Sequence, residues 1–226
     1  MTYLNAALSQ NYATANLAAA VRSALGKPLR RTAPLTQLAL LGALACLPKE
    51  HRQRSTALLW QSTSGPRPET QLLLGEICTG EAEPMPYDFL ATQSAIAAAQ
   101  IQPFLPGLQS ATHCPLDQEN TAHWSLLLTL AHNWLSEGRY EQVLCAHLDN
   151  WGERAAGHWL SLSSSPLENS LIQLHIAESN SPEALTDTPD FPARFNHWLE
   201  QSPANECHLQ FPASSTLAVK FARTKT

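Results

Sequence analysis

The sequence contains no block of like charge, no long apolar run, no glycine-rich loop and no closely paired cysteines, and each absence removes a class of function. Acidic and basic residues are interspersed along 226 residues that carry a net charge of −5. No stripe of arginine or lysine stands out, so binding to the phosphates of a nucleic acid is not expected. A membrane-spanning helix needs roughly 18 or more uncharged apolar residues, and the most apolar segment, 35–47, is shorter. Residues 1–5 lack the basic head and apolar body of a secretion signal. The five cysteines, Cys46, Cys78, Cys114, Cys145 and Cys207, are odd in number and never spaced Cys-x-x-Cys. They read as reduced thiols of a cytoplasmic protein, most of them small core residues, with neither a disulfide framework nor a metal site expected. Glycine is scarce, at nine residues, and no phosphate-cradling loop is formed. Ser161, Ser163, Ser164 and Ser165 lie outside any Gly-x-Ser-x-Gly elbow, which argues against a serine hydrolase. No cofactor is expected.

What is present is apolar content in helical and strand rhythm. With 44% apolar residues, a chain of this length can bury about 70% of its unfolded surface. One α/β domain over 1–226 is expected, with 178–226 carrying the weakest signals and 178–192 its least regular part. The stretch 117–150 organises the rest. Leu127, Leu130, Ala131 and Trp134 recur at helical spacing. Asn120 or Thr121 can cap that helix by accepting a first-turn N–H, and Gly138 can end it in the left-handed conformation. Val143-Leu144-Cys145-Ala146 follows as a short apolar run of the kind buried in a sheet.

Around this unit, strands are predicted at 3–8 (on a sheet edge), 55–61, 108–114, 158–162, 171–177, 207–211 and 216–221. Helices are predicted at 15–25, 35–47, 69–79, 89–102 and 193–201. The strands 158–162 and 171–177 are expected to pair as neighbours through the turn 163–169. Several features have two readings. Arg30-Arg31 is a solvated turn or an anion site. Asp149-Asn150 stands at a strand's C-terminal end, where α/β sites gather, and is equally a turn opener. His113 and Cys114 are neighbours on a strand and so point to opposite faces. Cys114 reads as a buried or interface thiol, with a displaced nucleophile as the alternative. His123 and His132 lie on opposite sides of one helix and cannot share a metal. Trp124, Trp134, Trp151 and Trp159 are most simply core or interface packing.

Four segments taken in order point further. They are the apolar helix 35–47, the strand ending in Gln61-Ser62-Thr63-Ser64-Gly65, the helix entry Met85-Pro86-Tyr87-Asp88-Phe89 and, above all, 120–149. In the last, Trp124-Ser125-Leu126-Leu127, Gly138-Arg139-Tyr140-Glu141 and Val143-Leu144-Cys145-Ala146-His147-Leu148-Asp149 follow one another. This order resembles the N-terminal half of a β-ketoacyl synthase of the thiolase superfamily. It resembles in particular the short ketosynthase-like N-terminal domain proteins that serve as chain length factors beside bacterial aryl polyene ketosynthases. The likeness spans roughly residues 4–162 and has no short invariant signature. It implies an α/β, thiolase-like half-fold, a mixed and mostly parallel sheet with helices on both faces.

At the nucleophile position of such a synthase the resemblance places Thr121, within Glu119-Asn120-Thr121-Ala122-His123. Condensation needs a thiol there, where the N–H groups and dipole of a helix N-terminus lower its pKa; a threonine with no adjacent base cannot replace it. The family's two histidines belong to a second half that this sequence does not reach, and His175, His197 and His208 lack the surrounding motifs. The implied function is a non-catalytic chain length factor that pairs with a catalytic ketosynthase subunit. It would shape the tunnel in which a polyene held by acyl carrier protein grows on that partner, in polyketide or fatty-acid-like biosynthesis. The resemblance makes 108–114 an apolar edge strand that pairs with the partner, since an open edge is an aggregation hazard. It makes 89–102 and 103–108 the tunnel wall. The residues implied at tunnel and interface are Ala95, Ala98, Ala99, Gln102, Phe104, Leu108, Ser110, Thr112, Cys114, Gln118 and Glu119, with Gln102 or Phe104 as the floor. Two other readings stay open: an acyltransferase or thioesterase using Cys114, and a stand-alone small-molecule-binding domain.

Overall fold

Twelve residues, Thr2–Ala13, form the first strand, β1, although they alternate only weakly. In the computed structural model, which describes residues 1–80, 83–116, 122–168, 170, 172–178, 184–211 and 217–224, β1 is not at an edge. It pairs antiparallel with β5 (Arg154–Ser163) along most of its length and with β6 (Ile172–Glu178) through Thr2, Tyr3 and Leu4. The polar residues that blur its alternation are used inside the sheet. Asn5 Nδ2 donates to Ser163 Oγ at 2.9 Å, and Ser9 Oγ meets His158 Nδ1 at 2.9 Å. Because β1 lies between them, β5 and β6 are not the neighbouring pair that their sequence order suggests.

The remaining strands are β2 (Thr56–Ser62), β3 (Leu108–Pro115), β4 (Gln142–Asn150), β7 (Ala184–Leu185), β8 (Glu206–Gln210) and β9 (Leu217–Arg223). The nine run in the order β3-β2-β4-β5-β1-β6-β9-β8-β7. The sheet is mixed, but parallel pairing does not predominate. It is confined to β3-β2-β4 and β7-β8, while the other five pairings are antiparallel. Strand β3 stands at the edge with β2 as its one neighbour among the described residues.

Helices cover both faces. On one lie α6 (Trp124–Ser136) and α7 (Phe191–Gln201), packed over Leu59, Cys145, Leu160 and Phe221. On the other lie α1 (Leu17–Leu25), α2 (Pro34–Cys46) and α5 (Ser94–Ile101), over Leu58, Trp60, Leu144 and Trp159. Helix α2 is apolar nearly all round because it has neighbours all round: sheet beneath it, α1 and α5 beside it. Gly42 sits so close to the Trp159 indole that a Cβ there would overlap the ring. Helices α3 (Arg67–Thr79) and α4 (Pro86–Ala91) precede α5. The single helix expected over 89–102 is broken between α4 and α5. The Thr92 hydroxyl donates to the Phe89 carbonyl at 2.8 Å and Gln93 is extended, at φ −98° and ψ 115°. A hydroxyl that bonds its own backbone competes with the helix ladder.

Candidate functional site

Five side chains form a row across the sheet on the face that α6 covers. Register pairs Cys114 of β3 with Gln61 of β2, Gln61 with His147 of β4, His147 with His158 of β5, and His158 with Ser9 of β1. Residues paired in this way share a face. The row lies one step above the apolar layer of Leu59, Cys145 and Leu160, toward the C-terminal ends of the parallel strands, where the loops of an α/β fold assemble a site. Gln61, His147 and His158 are all buried.

Above the row, Asp149 binds the end of β2 to the end of β4. Its carboxylate accepts from the backbone N–H of Thr63 (2.8 Å) and Ser64 (2.8 Å), from the hydroxyls of Ser62 (3.1 Å) and Thr63 (2.9 Å), and from His147 Nε2 (2.8 Å). Burial pushes its pKa up, but the bond and charge of His147 and the bonds of Ser64 and Thr63 outweigh burial and hold it well below the usual carboxylate range. Five donors fill the lone pairs of one carboxylate. Asp149 is therefore a clamp and has no capacity left to take a proton from a substrate. Ser64 extends the clamp by accepting the Asn150 N–H at 2.8 Å. His158 is pressed down to about 4 by burial, helped by His147 and opposed by Asp190 and Asp149, so it is neutral at physiological pH.

The start of α6 differs from expectation. The helix opens at Trp124, and His123 in the capping position makes no side-chain cap. Asn120 and Thr121, the expected caps, lie outside the described residues. The cap comes from Asp187, which accepts the N–H of Trp124 at 2.9 Å and that of Ser125 at 3.1 Å. Gln61 Oε1 accepts the N–H of His123 at 2.9 Å. The N–H groups of His123, Trp124 and Ser125 are thus engaged by side chains of other segments. Burial pushes the Asp187 pKa up, and the bonds from Ser125 and Trp124 partly offset that.

No cysteine near this site has the setting of a nucleophile. Cys114 is half-buried, and burial pushes its thiol up. Its register partner is the amide of Gln61 rather than a base. His113 faces the other way, its ring 4.3 Å from that of Trp60. Cys145 is fully buried, is also pushed up by burial, and points at the Leu127 carbonyl. An activated cysteine needs the reverse, a lowered pKa and access. These surroundings do not favour an acyltransferase using Cys114.

The residues implied at tunnel and interface divide between the two sides of α5 and along β3. Ala97 and Ile101 are buried against α2, whereas Ala99 and Gln102 are exposed. The side chains of Ala95 and Ala98 lie outside what is described, as do Gln118, Glu119 and Thr121 altogether. Phe104 is half-buried with Lys27 Nζ 5.7 Å from its ring centroid. On β3, Leu108 is buried, Ser110 and Cys114 are half-buried and Thr112 is exposed. The edge is therefore more polar than expected, its outward residues being Gln109, Ala111 and Thr112. Trp124 and Trp159 are core residues and Trp134 packs on Tyr140, but Trp151 is exposed under the guanidinium of Arg67. Sequence reasoning missed Asp187, Gln61, Ser9 and His158; only Gln61, at the end of an apolar strand, carries a local signal. Among the described residues no three His, Cys, Asp or Glu side chains are placed to hold a metal, and no helix is long and apolar enough to cross a membrane.

The sequence matches no protein-family model and no curated protein sequence. Its structure, however, is similar to solved structures over nearly the whole chain. A ketosynthase (ApeO) in complex with its chain length factor (ApeC) from Xenorhabdus doucetiae is matched at TM-score 0.57 and 14% identity, covering 98% of this chain and 99% of that one. The ishigamide ketosynthase/chain length factor is matched at TM-score 0.64 and 11% identity, over 100% of this chain and 99% of that one. AntDE:AntF, a type II acyl-carrier protein in complex with its ketosynthase, is matched at TM-score 0.58 and 11% identity, over 99% of each chain. At these identities the likeness establishes a shared fold.

Proposed function

We propose that this chain, which has the ketosynthase fold, is the non-catalytic chain length factor of a two-subunit ketosynthase. It shapes the tunnel in which the partner subunit lengthens a polyene carried on acyl carrier protein; the aryl polyene class rests on the sequence resemblance. The observation that carries the reading is the occupied start of α6. Asp187 and Gln61 take the N–H groups of His123, Trp124 and Ser125. A thiol placed there would face a carboxylate where condensation needs unshared donors, and a neighbouring negative charge raises a thiol pKa. The resemblance puts the family's nucleophile position at or beside Thr121, where the sequence has no cysteine.

The partner is supported by a second set of observations. Among the described residues strand β3 has one neighbour, and an open edge invites pairing with another chain. Helices α3 and α4 also expose Leu72, Leu74, Ile77, Met85, Phe89 and Leu90, large apolar side chains of the kind that protein contacts cover. Ala99 of α5 and Gln102 just after it are exposed, and α5 contacts both α4 and β3. The test is co-expression with a candidate ketosynthase followed by gel filtration and an elongation assay. The two chains are expected to elute together, and this chain alone to transfer no malonyl-derived unit. Self-acylation followed by elongation in its sole presence would overturn the reading.

A further inference from the structure

The turn from α2 to β2 carries two arginines that the fold uses differently. Arg52 closes the end of α2: its Nε donates to the Leu47 carbonyl at 3.0 Å and its Nη2 to the Leu44 carbonyl at 3.0 Å. Arg54 is half-buried, and among the described residues its guanidinium makes no hydrogen bond, ion pair or ring contact. Its backbone is held all the same. The N–H donates to the His51 carbonyl at 3.2 Å and the carbonyl accepts from the Thr56 hydroxyl at 2.7 Å. Gly107 packs so close that a Cβ there would overlap the Arg54 carbonyl. A guanidinium stays charged at any physiological pH, and a charge drawn partly out of water without a partner is costly. The fold thus fixes where the Arg54 side chain starts and gives its head nothing to bind.

Arg54 borders a cavity of about 480 Å³, within the roughly 300–1,000 Å³ of small-molecule sites. It lies at the opposite end of the parallel strands from the Asp149 clamp. Its apolar lining includes Cys46 at the end of α2 and Leu167 after β5, and its charged lining includes Glu50 and Glu168. Both carboxylates are exposed, and among the described residues neither forms an ion pair with Arg54 or any other cation. His51 lines the same cavity, and its Nδ1 is buried without a hydrogen-bond partner.

We infer that this cavity binds a free α-amino acid with an apolar side chain. The carboxylate meets the Arg54 guanidinium, the ammonium meets Glu50 and Glu168, and the side chain covers Cys46 and Leu167. Charge selects the class of ligand. A simple carboxylate would gain from Arg54 and be repelled by two acids, and a simple amine would meet the reverse. An α-amino acid carries both charges on one carbon, and the planar guanidinium fork suits its carboxylate. The inference is independent of the chain length factor reading and adds a small-molecule site to the chain.

The experiment titrates L-leucine into the full chain, co-purified with its ketosynthase where the two assemble, and reads heat by calorimetry. Two analogues each lack one charge: 4-methylpentanoate has no ammonium and isoamylamine has no carboxylate. Leucine is expected to bind, and each analogue to bind at least about tenfold more weakly, the usual worth of a charge-assisted hydrogen bond. Arg54→Gln should weaken leucine by a similar factor, and Arg54→Lys, which keeps the charge without the fork, by less. Glu50→Gln with Glu168→Gln should weaken leucine and isoamylamine but not 4-methylpentanoate. Because these side chains pair with nothing in the fold, thermal unfolding without ligand and co-elution with the ketosynthase should not change in any variant. No heat from leucine at millimolar concentration would overturn the inference, as would unchanged affinity in Arg54→Gln. An analogue that binds as tightly as leucine would overturn the two-charge site. None of these outcomes bears on the chain length factor reading, which stands or falls on co-elution and elongation.

Discussion

The Asp187 carboxylate grips Ser125 twice, accepting from its backbone N–H at 3.1 Å and from its hydroxyl at 2.8 Å. Sixty-two residues separate them in the chain, so this contact fastens a late loop to the start of the central helix. It gives α6 the acceptor that His123, in the capping position, does not provide.

Removing that acceptor should loosen the helix. Asp187→Ala is expected to cost about 1–2 kcal/mol, the usual worth of a helix cap. Asp187→Asn, which keeps one acceptor oxygen, should cost less. Urea unfolding of the three proteins, compared at constant slope, measures the difference.

Acid should destabilise the protein through His158. Its folded pKa, about 4, lies below the ordinary value of 6.5, so the native state binds fewer protons there than the unfolded chain does. The contribution is complete above about pH 6.5 and is lost as pH falls toward 4, up to about 3 kcal/mol. Asp149 acts in the same direction further down, because its lowered pKa makes protonation costly to the fold. Melting temperature against pH should fall through this window, and His158→Gln should flatten its upper part.

Two glycines should respond differently to alanine. At Gly42 the new methyl group would collide with Trp159 in a filled core, so Gly42→Ala is expected to cost about 3 kcal/mol or more. At Gly26, with φ +70° and open space around it, only the backbone conformation is penalised, at about 1 kcal/mol. Thermal unfolding of both variants decides the ranking.

The two sides of α5 give a test of tunnel shape. Ala99→Phe, on the exposed side, should leave assembly with the ketosynthase intact and shorten the product, read as chain length by mass spectrometry. Ala97→Phe, on the buried side, should impair folding and assembly instead. Unaltered product from an assembled Ala99→Phe complex would count against this helix as the wall.

Where a signal was local, it could be read from the sequence. The 3.6-residue spacing of Leu127, Ala131 and Trp134 announced α6, and Gly138 and Gly26 do adopt the left-handed conformation at helix ends, at φ 69° and 70°. The buried run at β4 and the opposite facings of His113 and Cys114 were equally legible. Strand β1 was not, because Asn5 and Ser9 look like surface residues until their partners Ser163 and His158 are brought to them. The break between α4 and α5 was hidden in a sequence of good helix formers. The row from Cys114 to Ser9 depends on the register of five strands, and Asp187 acts on residues far from it in the chain. Neither leaves a mark on its own neighbourhood.

Asp149 has a mechanical consequence. With its carboxylate bolted to Ser62, Thr63, Ser64 and His147 at once, the tips of β2 and β4 behave as one stiff piece, and local pressure cannot splay them. Anything gauged against that end of the sheet meets a hard stop, so any ruler built there would read length by fixed distance and not by yielding.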